Sequence, residues 1–350
     1  MEDTTPQDTL DHLLALVTGL VGKASQQGLD ADALRAIAAA AADELGRLGR
    51  RPSTEPLIVQ AGDLAGALVA DYDQRQAAAA QNGGVVGVRS GISHLDEVLN
   101  GLEAGRLYLL AAVPGAGKTT LALQIAATVA QSGAPALYLS LENDSLDLVR
   151  KTTCRLGHLS YAAALKGKID PAAWGRAVQD LDMLGGNLYL STPRDALPSL
   201  EQVVEQVVAR AGTAPRLIVI DYLQAWCKRG AQAGDASDVR ERIDRLTPQL
   251  RALGERHGAA VLAISSQNRA GQAQGGMAAL KESGDLEYGA DVVMTLRRPT
   301  DQEKTSTDST RDPRLTPLVL SIDKNRSGLT GRPIRLALHG DHCTFAEEER

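Results

Sequence analysis

"AAVPGAGKTT", residues 111–120, follows the apolar run "RLYLLAAV" (106–113) and opens a helix-like pattern. Residues 112–119 fit GxxxxGK[ST], with Ala112 standing for the first glycine. Gly115 and Gly117 let the backbone curl so that its N–H groups point inward at a β-phosphate. Lys118 is placed to reach the β- and γ-phosphates. Thr119 is placed to ligate Mg²⁺ while opening a helix whose N-terminus favours anions. Pro114, Gly115, Ala116, Gly117, Lys118, Thr119 and Thr120 are therefore the expected nucleotide-binding set, with a nucleoside triphosphate and Mg²⁺ as ligands. The bland alternative is a glycine-rich turn with a chance lysine. A strand before, a helix after and the tandem "GKTT" argue against it.

Such a site needs a second carboxylate for the metal and a base to orient water. "LIVIDYLQ" supplies Asp221 at the end of an apolar strand, where a buried acid is costly without a metal or partner. "LYLSLEN" supplies Glu142 at the end of another strand, the expected general base. In a parallel sheet the strand C-termini converge on the ligand crevice, so both acids can face the phosphate loop.

Outward from the loop, "ALYLSLE" (136–142), "NLYLST" (187–192), "RLIVIDYL" (216–223) and "AAVLAISS" (259–266) alternate with helical segments. This predicts an α/β fold with a mainly parallel sheet covered on both faces. "LTPLVLSIDKN", "GRPIRLALHG" and "CTFAE" read as C-terminal strands joined by tight turns, antiparallel to one another. The stripe Val239, Ile243, Leu246, Leu250 and Leu253 lies on a helical stretch, 238–257, that Pro248 interrupts, so a kink is expected. Residues 299–314 read as an exposed loop. Upstream, residues 8–50 carry two helical stripes, 58–80 a further helix, and "QNGG" a joint. The expected division is a small all-α region over 1–57, a linker helix and flexible joint over 58–86, and the α/β domain over 87–350.

With 350 residues and 43% hydrophobic content, the chain can bury one large core plus a small accessory unit. A net charge of −6 argues against coating nucleic acid with the whole surface, and 3% aromatic residues argue against a base-stacking platform. Any nucleic-acid contact must be a local groove of a few cations. The acidic start reads as no secretory signal, and no uncharged apolar run reaches the ~18 residues of a membrane span. Cys154, Cys227 and Cys343 form no CxxC, which fits a reduced, cytoplasmic protein. "HGDHC" (339–343) reads better as a hairpin turn than as a zinc site. Cys154, His158 and Trp174 read as packing residues. Trp226 is open between core packing and a loop role.

These residues, in this order, resemble the C-terminal RecA-like motor domain of the DnaB-type replicative helicases. The resemblance runs over about residues 87–347. It rests on "GISHLDEVLNGLEAGRLYLLAAVPGAGKTTLALQIA", "SLEN", "LKGKIDPAAW", "VIDYLQ", "ISSQNR", "KESGDLEYGADVV" and "KNRSGLTG". Alanine opening the phosphate loop is common in that family. The resemblance implies a RecA-like P-loop NTPase: an ATP-dependent, ring-forming helicase, a hexamer on single-stranded or forked DNA, moving 5′→3′. It implies that Lys324 and Arg326, in "DKNRSG", reach a neighbouring subunit's γ-phosphate. It implies DNA contacts at Lys228 and Arg229 after "DYLQ", and at Arg269 and Lys281 in the stretch 269–284. The family's γ-phosphate-sensing glutamine corresponds to Gln267, shifted by one residue, or is replaced by Ser266. The region before residue 85 shows no likeness to the family's usual N-terminal domain, so its helices are expected to seat a protein partner or copies of themselves. Two other readings stand beside this one. The first is a RecA- or RadA-like ATPase that remodels DNA; the second is an ATP-gated regulatory protein without unwinding activity.

Overall fold

The computed structural model describes residues 58–194, 197–229, 239–266, 289–303 and 312–348. The helical region expected over 1–57 lies outside them. By internal contacts the chain divides into two compact units, Met1–Ala70 and Asp71–Arg350. In the first, a 3-10 turn, Ala61–Leu64, leads into helix α1 (Ala65–Gln81), which continues into the second.

The larger unit is built on a nine-stranded sheet among the described residues. Its strands are β1 (Leu107–Ala112), β2 (Ala136–Ser140), β3 (Leu188–Ser191), β4 (Leu217–Asp221), β5 (Ala260–Ser266), β6 (Val292–Arg297), β7 (Leu315–Asn325), β8 (Ile334–His339) and β9 (Thr344–Glu347). Their order is β3-β2-β4-β5-β1-β6-β7-β8-β9. The pairs from β3 to β6 are parallel and those from β6 to β9 antiparallel. β6, next to the central strand, is one that the alternation reading did not single out. Its apolar run is short and charged residues crowd both ends.

The helices follow local rules. Helix α2 (Ser93–Leu99) precedes β1, and α3 (Lys118–Gln131) follows the phosphate loop. Asp144 caps α4 (Ser145–Leu156) and Ser160 caps α5 (Tyr161–Leu165), each through its side chain. Asp170 and Pro171 open α6 (Pro171–Gly185), where the missing proline N–H costs nothing. Ser199 and Gln202 form a capping box on α7 (Leu200–Ala211), which ends at Gly212 with φ 72°. Helix α8 (Leu223–Arg229) follows β4. Helix α9 (Val239–His257) runs through Pro248 as one helix. Ile243, Leu246, Leu250 and Leu253 stay buried on both sides of the proline, so tertiary packing outweighs one lost backbone bond.

Two apolar layers flank the sheet, as the alternation predicts. One packs α2, α3, Leu148 of α4 and Leu184 of α6 against one face, together with β7, β8 and Phe345 of β9. The other packs α7, α8 and α9 against the opposite face. Gln124 of α3 links the C-terminal strands to the phosphate helix: its Nε2 donates to the Phe345 carbonyl at 3.0 Å and its Oε1 accepts from the Phe345 N–H at 2.8 Å. Glu347 accepts the backbone N–H groups of Ser93 and His94 at 2.8 and 3.0 Å, capping α2.

Entry into this unit depends on a close crossing. Gly87 lies against Leu102, where an added Cβ would sit 2.4 Å from the Leu102 carbonyl carbon. The neighbouring Val88–Leu102 bridge is closed by bonds of 3.0 and 2.8 Å. Gly87→Ala is therefore expected to destabilise the unit by about 1–3 kcal/mol through overpacking against backbone that cannot yield. An unchanged urea midpoint would contradict this crossing.

Candidate functional site

β1 delivers the loop. All six of its residues are buried, and Ala112 is paired with Ser266 on one side and Leu296 on the other. The chain leaves the sheet from a position fixed along both edges. It turns through Gly115 (φ 82°) and Gly117 (φ 91°) into α3. An added Cβ at Gly117 would lie 2.9 Å from Phe345 Cζ, so both backbone sign and space require glycine there.

Lys118 folds back over this loop. Its Nζ donates to the carbonyls of Ala112 at 2.9 Å and Val113 at 3.1 Å. Burial lowers its pKa, while the Asp221 and Glu142 carboxylates pull the other way. Thr119 Oγ1 donates to Asp221 Oδ2 at 2.9 Å, and the buried Tyr138 hydroxyl donates to the same oxygen at 2.8 Å. Burial raises the Asp221 pKa, partly offset by those two hydrogen bonds. Glu142 is exposed, two residues past Ser140, which pairs with Asp221 across β2 and β4. Ser140 Oγ accepts the N–H groups of Glu142 at 3.4 Å and Asn143 at 2.9 Å, and Lys151 Nζ donates to Asn143 Oδ1 at 3.1 Å. The turn carrying Glu142 is thus tied from both sides.

The structure brings Lys118, Thr119, Asp221 and Glu142 to one end of the sheet. It places Lys324 and Arg326 at the other. β7 runs antiparallel to β6, so Lys324 pairs with Val293, level with Leu109, and Asn325 with Val292. The Arg326 N–H donates to the Asp291 carbonyl at 2.9 Å, one step further down. At ~3.3 Å per residue and ~4.8 Å per strand, Arg326 lies roughly 15–20 Å from the start of its own phosphate loop. A bulge between Val293 and Met294 shifts the β7 register, so that Lys324 faces Val293 where regular pairing would have put Asp323. That turns the cations towards the α7–α9 layer.

Lys228 is exposed on the last turn of α8. The Arg229 side chain, Gln267, Arg269 and Lys281 lie outside what the structure describes. Trp226 is half-buried against the α7–α9 core, and Trp174 is half-buried on α6. Cys154, Cys227 and Cys343 are buried free thiols, pushed up to about 11, 11 and 12 by desolvation. Residues 340–342 of "HGDHC" form a 3-10 turn between β8 and β9, with the His339 and His342 rings stacked.

Three site residues escaped the sequence reading. Tyr138 sits in an apolar strand and nothing in its spacing separates it from a packing aromatic. Gln224 belongs to the "DYLQ" stretch but received no role. Its Nε2 donates to Ser265 Oγ at 2.8 Å and to the Ser266 carbonyl at 3.3 Å, pinning the end of β5 beside the loop. Asp291 lies in "YGADVV" and shows its partners only in three dimensions.

Comparison with known proteins agrees with this geometry. The family model described as DnaB-like helicase C terminal domain matches residues 87–347. The replicative DNA helicase DnaB of Leifsonia xyli subsp. xyli is 27% identical over 292 residues, covering 81% of this chain and 61% of that protein. The Geobacillus stearothermophilus DnaB is 27% identical over 290 residues, with 81% and 61% covered. The chain thus spans 61% of the length of these two curated relatives. Among solved structures, one of an ATPase domain superposes with a TM-score of 0.68 at 22% identity, over 83% of this chain and 100% of that one. A DnaB-like replicative helicase, solved in a study of its interactions with primase, gives a TM-score of 0.73 at 20% identity, over 98% and 77%. The shared fold is RecA-like.

The buried carboxylate has a measurable cost. Its folded-state pKa is raised above 3.8, so the unfolded chain releases this proton first and the Asp221 contribution to stability falls as pH rises through that window. Asp221→Asn keeps an acceptor for Thr119 and Tyr138 but has nothing to ionise. Its melting temperature relative to wild type, without nucleotide, should increase from pH 4 to pH 7. A difference independent of pH would show that Asp221 ionises freely.

Proposed function

Because the chain belongs to the DnaB-like helicase C-terminal domain family, we propose that it hydrolyses ATP to move along single-stranded DNA and open forked duplexes. Copies are arranged as a hexameric ring, and movement runs 5′→3′. One observation carries this reading: the phosphate-facing groups and the Lys324–Arg326 pair occupy opposite ends of one sheet. A protomer so built cannot complete its own site, whereas a neighbour can supply the missing cations. That is the arrangement a ring of coupled ATPases needs.

The residues fit a magnesium nucleotide. Thr119 and Asp221 present hard oxygen donors that already share a hydrogen bond, and Mg²⁺ favours such donors together with phosphate oxygens. The half-buried Lys118 ammonium donates only to neutral carbonyls among the bonds described, so a phosphate offers it a better partner. Bound there, the ion supplies charge neutralisation on the phosphates. Glu142, held at the mouth of the crevice, orients the attacking water and takes its proton. Arg326 of one copy stabilises charge on the phosphoryl group held by the next, with Lys324 beside it. Gln267, or Ser266 held by Gln224, reports the γ-phosphate to the rest of the chain.

DNA contact is assigned to Lys228 and Arg229, with Arg269 and Lys281; six copies of a few cations suffice to follow a phosphate backbone despite the overall acidity. The segment 58–86 is assigned as a linker to an adjacent copy: Leu64, Leu68 and Tyr72 are exposed at four-residue spacing on or next to α1. Residues 1–57 are assigned to seating a protein partner. No helix among the described residues is long and apolar enough to cross a membrane, and the reading places the protein in the cytoplasm.

Two measurements test the chemistry. Lys118→Ala should abolish nucleotide binding, because it removes the side-chain cation of the loop. Glu142→Gln should bind ATP with near-normal affinity yet hardly hydrolyse it. Equal loss of affinity in both would show Glu142 to be misassigned.

A third addresses the ring. Arg326→Ala should bind ATP and lose roughly 10³-fold or more in turnover. Mixed with Lys118→Ala subunits under exchange, it should regain ATPase activity, since the Lys118→Ala copy lends an intact arginine. Confirmed mixed assemblies without activity would remove the case for catalysis across a subunit boundary.

A further inference from the structure

The carboxylate of Asp291 joins three elements. It lies just before β6 and is almost fully buried. One oxygen accepts the Leu107 N–H at 3.0 Å, which ties it to the base of β1. The other faces two arginines: Arg251 of α9, in a close ion pair, and Arg326 at 3.5 Å. The backbone is shared as well. Asp291 N–H donates to the Leu107 carbonyl at 2.9 Å, its carbonyl accepts the Arg326 N–H at 2.9 Å, and Lys324 Nζ donates to the Ala290 carbonyl at 2.9 Å.

We infer that Asp291 is a positioning residue for Arg326: it holds the guanidinium ready for a neighbouring copy and releases it at little cost because Arg251 stays behind. This rests on the reading that Arg326 acts across a subunit boundary. The cost of release decides the matter. A buried carboxylate stripped of its cation is strongly destabilising. Here Arg251 is fixed by the buried Leu250 and Leu253 on either side of it in α9, so it keeps Asp291 neutralised after Arg326 leaves. The Arg326 pair is the looser one. Its side chain is 41% exposed, against 34% for Arg251, and an ion pair of that exposure holds weakly.

What moves is confined to the side chain. The Arg326 N–H remains on Asp291. The turn beyond is tied by Asn325, whose Oδ1 accepts the Ser327 N–H at 3.1 Å and whose Nδ2 donates to the Leu329 carbonyl at 3.0 Å. A guanidinium presented from a fixed backbone and already oriented loses less freedom on reaching its target than one swinging in solvent.

The test uses the full-length chain on single-stranded DNA, with subunit exchange confirmed by co-purification of differently tagged copies and ATPase read as phosphate release. Lys118→Ala copies serve as donors of Arg326 and Arg326→Ala copies as acceptors. Asp291→Asn placed in the donor should lower the restored activity about tenfold or more, in kcat rather than KM, as misplacement of a reacting group does. Placed in the acceptor, which has no arginine to hold, it should leave the restored activity where it was. Equal loss from either placement would make Asp291 a structural residue only, and no loss from the donor placement would equally overturn the inference. If the parent donor and acceptor restore nothing although mixed, Arg326 does not act in trans and the reading beneath falls first. Should Asp291→Asn fail to fold, Arg251→Gln tests the same point. Placed in the donor, it makes the buried carboxylate depend on Arg326, so the restored activity should again fall; an unchanged restored activity would contradict the release argument.

Discussion

The phosphate loop keeps its shape because β1 is hydrogen-bonded along both edges and buried on both faces. β5 and β6 flank it in parallel, so the point where the chain leaves the sheet is set by two neighbours rather than by the loop itself. Phe345, held by Gln124, then closes against Gly117 from above. A glycine-rich turn free of these constraints would sample many conformations, and its N–H groups would converge on nothing in particular.

The same rigidity makes a buried acid tolerable. Asp221 sits at the end of β4 with a raised pKa, satisfied by Thr119 and Tyr138 on one oxygen. This is a group kept at a cost to the fold, and such costs concentrate where a protein handles charge. Lys118 is complementary to it: a half-buried cation resting on carbonyls rather than on a carboxylate. Each of the two would gain from a ligand carrying the opposite charge.

The sheet also separates two groups of charged residues. Strands that run upward end at the phosphate loop, and β7, running down, ends at Lys324 and Arg326. At that lower edge the Asp291 carboxylate pairs with both Arg251 and Arg326. In the proposed function one copy supplies the nucleotide site and the next supplies Lys324 and Arg326. Assembly is therefore part of the mechanism proposed for it.

The sequence alone determined the fold class. Apolar runs of strand length between helical stripes force a covered parallel sheet, and no other arrangement buries them on both faces. It also located Lys118, Thr119, Asp221 and Glu142, because glycine spacing and acids at strand ends are local signals. β6 was less legible, its apolar run being short and hemmed by charge. Pro248 was read as the site of a kink; that one helix continues through it follows from the buried residues on both sides, which lie beyond any local rule. Tyr138, Gln224 and Asp291 were decided by tertiary structure only. Their partners lie on other strands, 83, 41 and 184 residues away for the bonds to Asp221, Ser265 and Leu107. The face on which Lys324 and Arg326 emerge was likewise set in three dimensions: one bulged residue in β7 turns them to the α9 side, and a period-two pattern read from sequence would have placed them on the other.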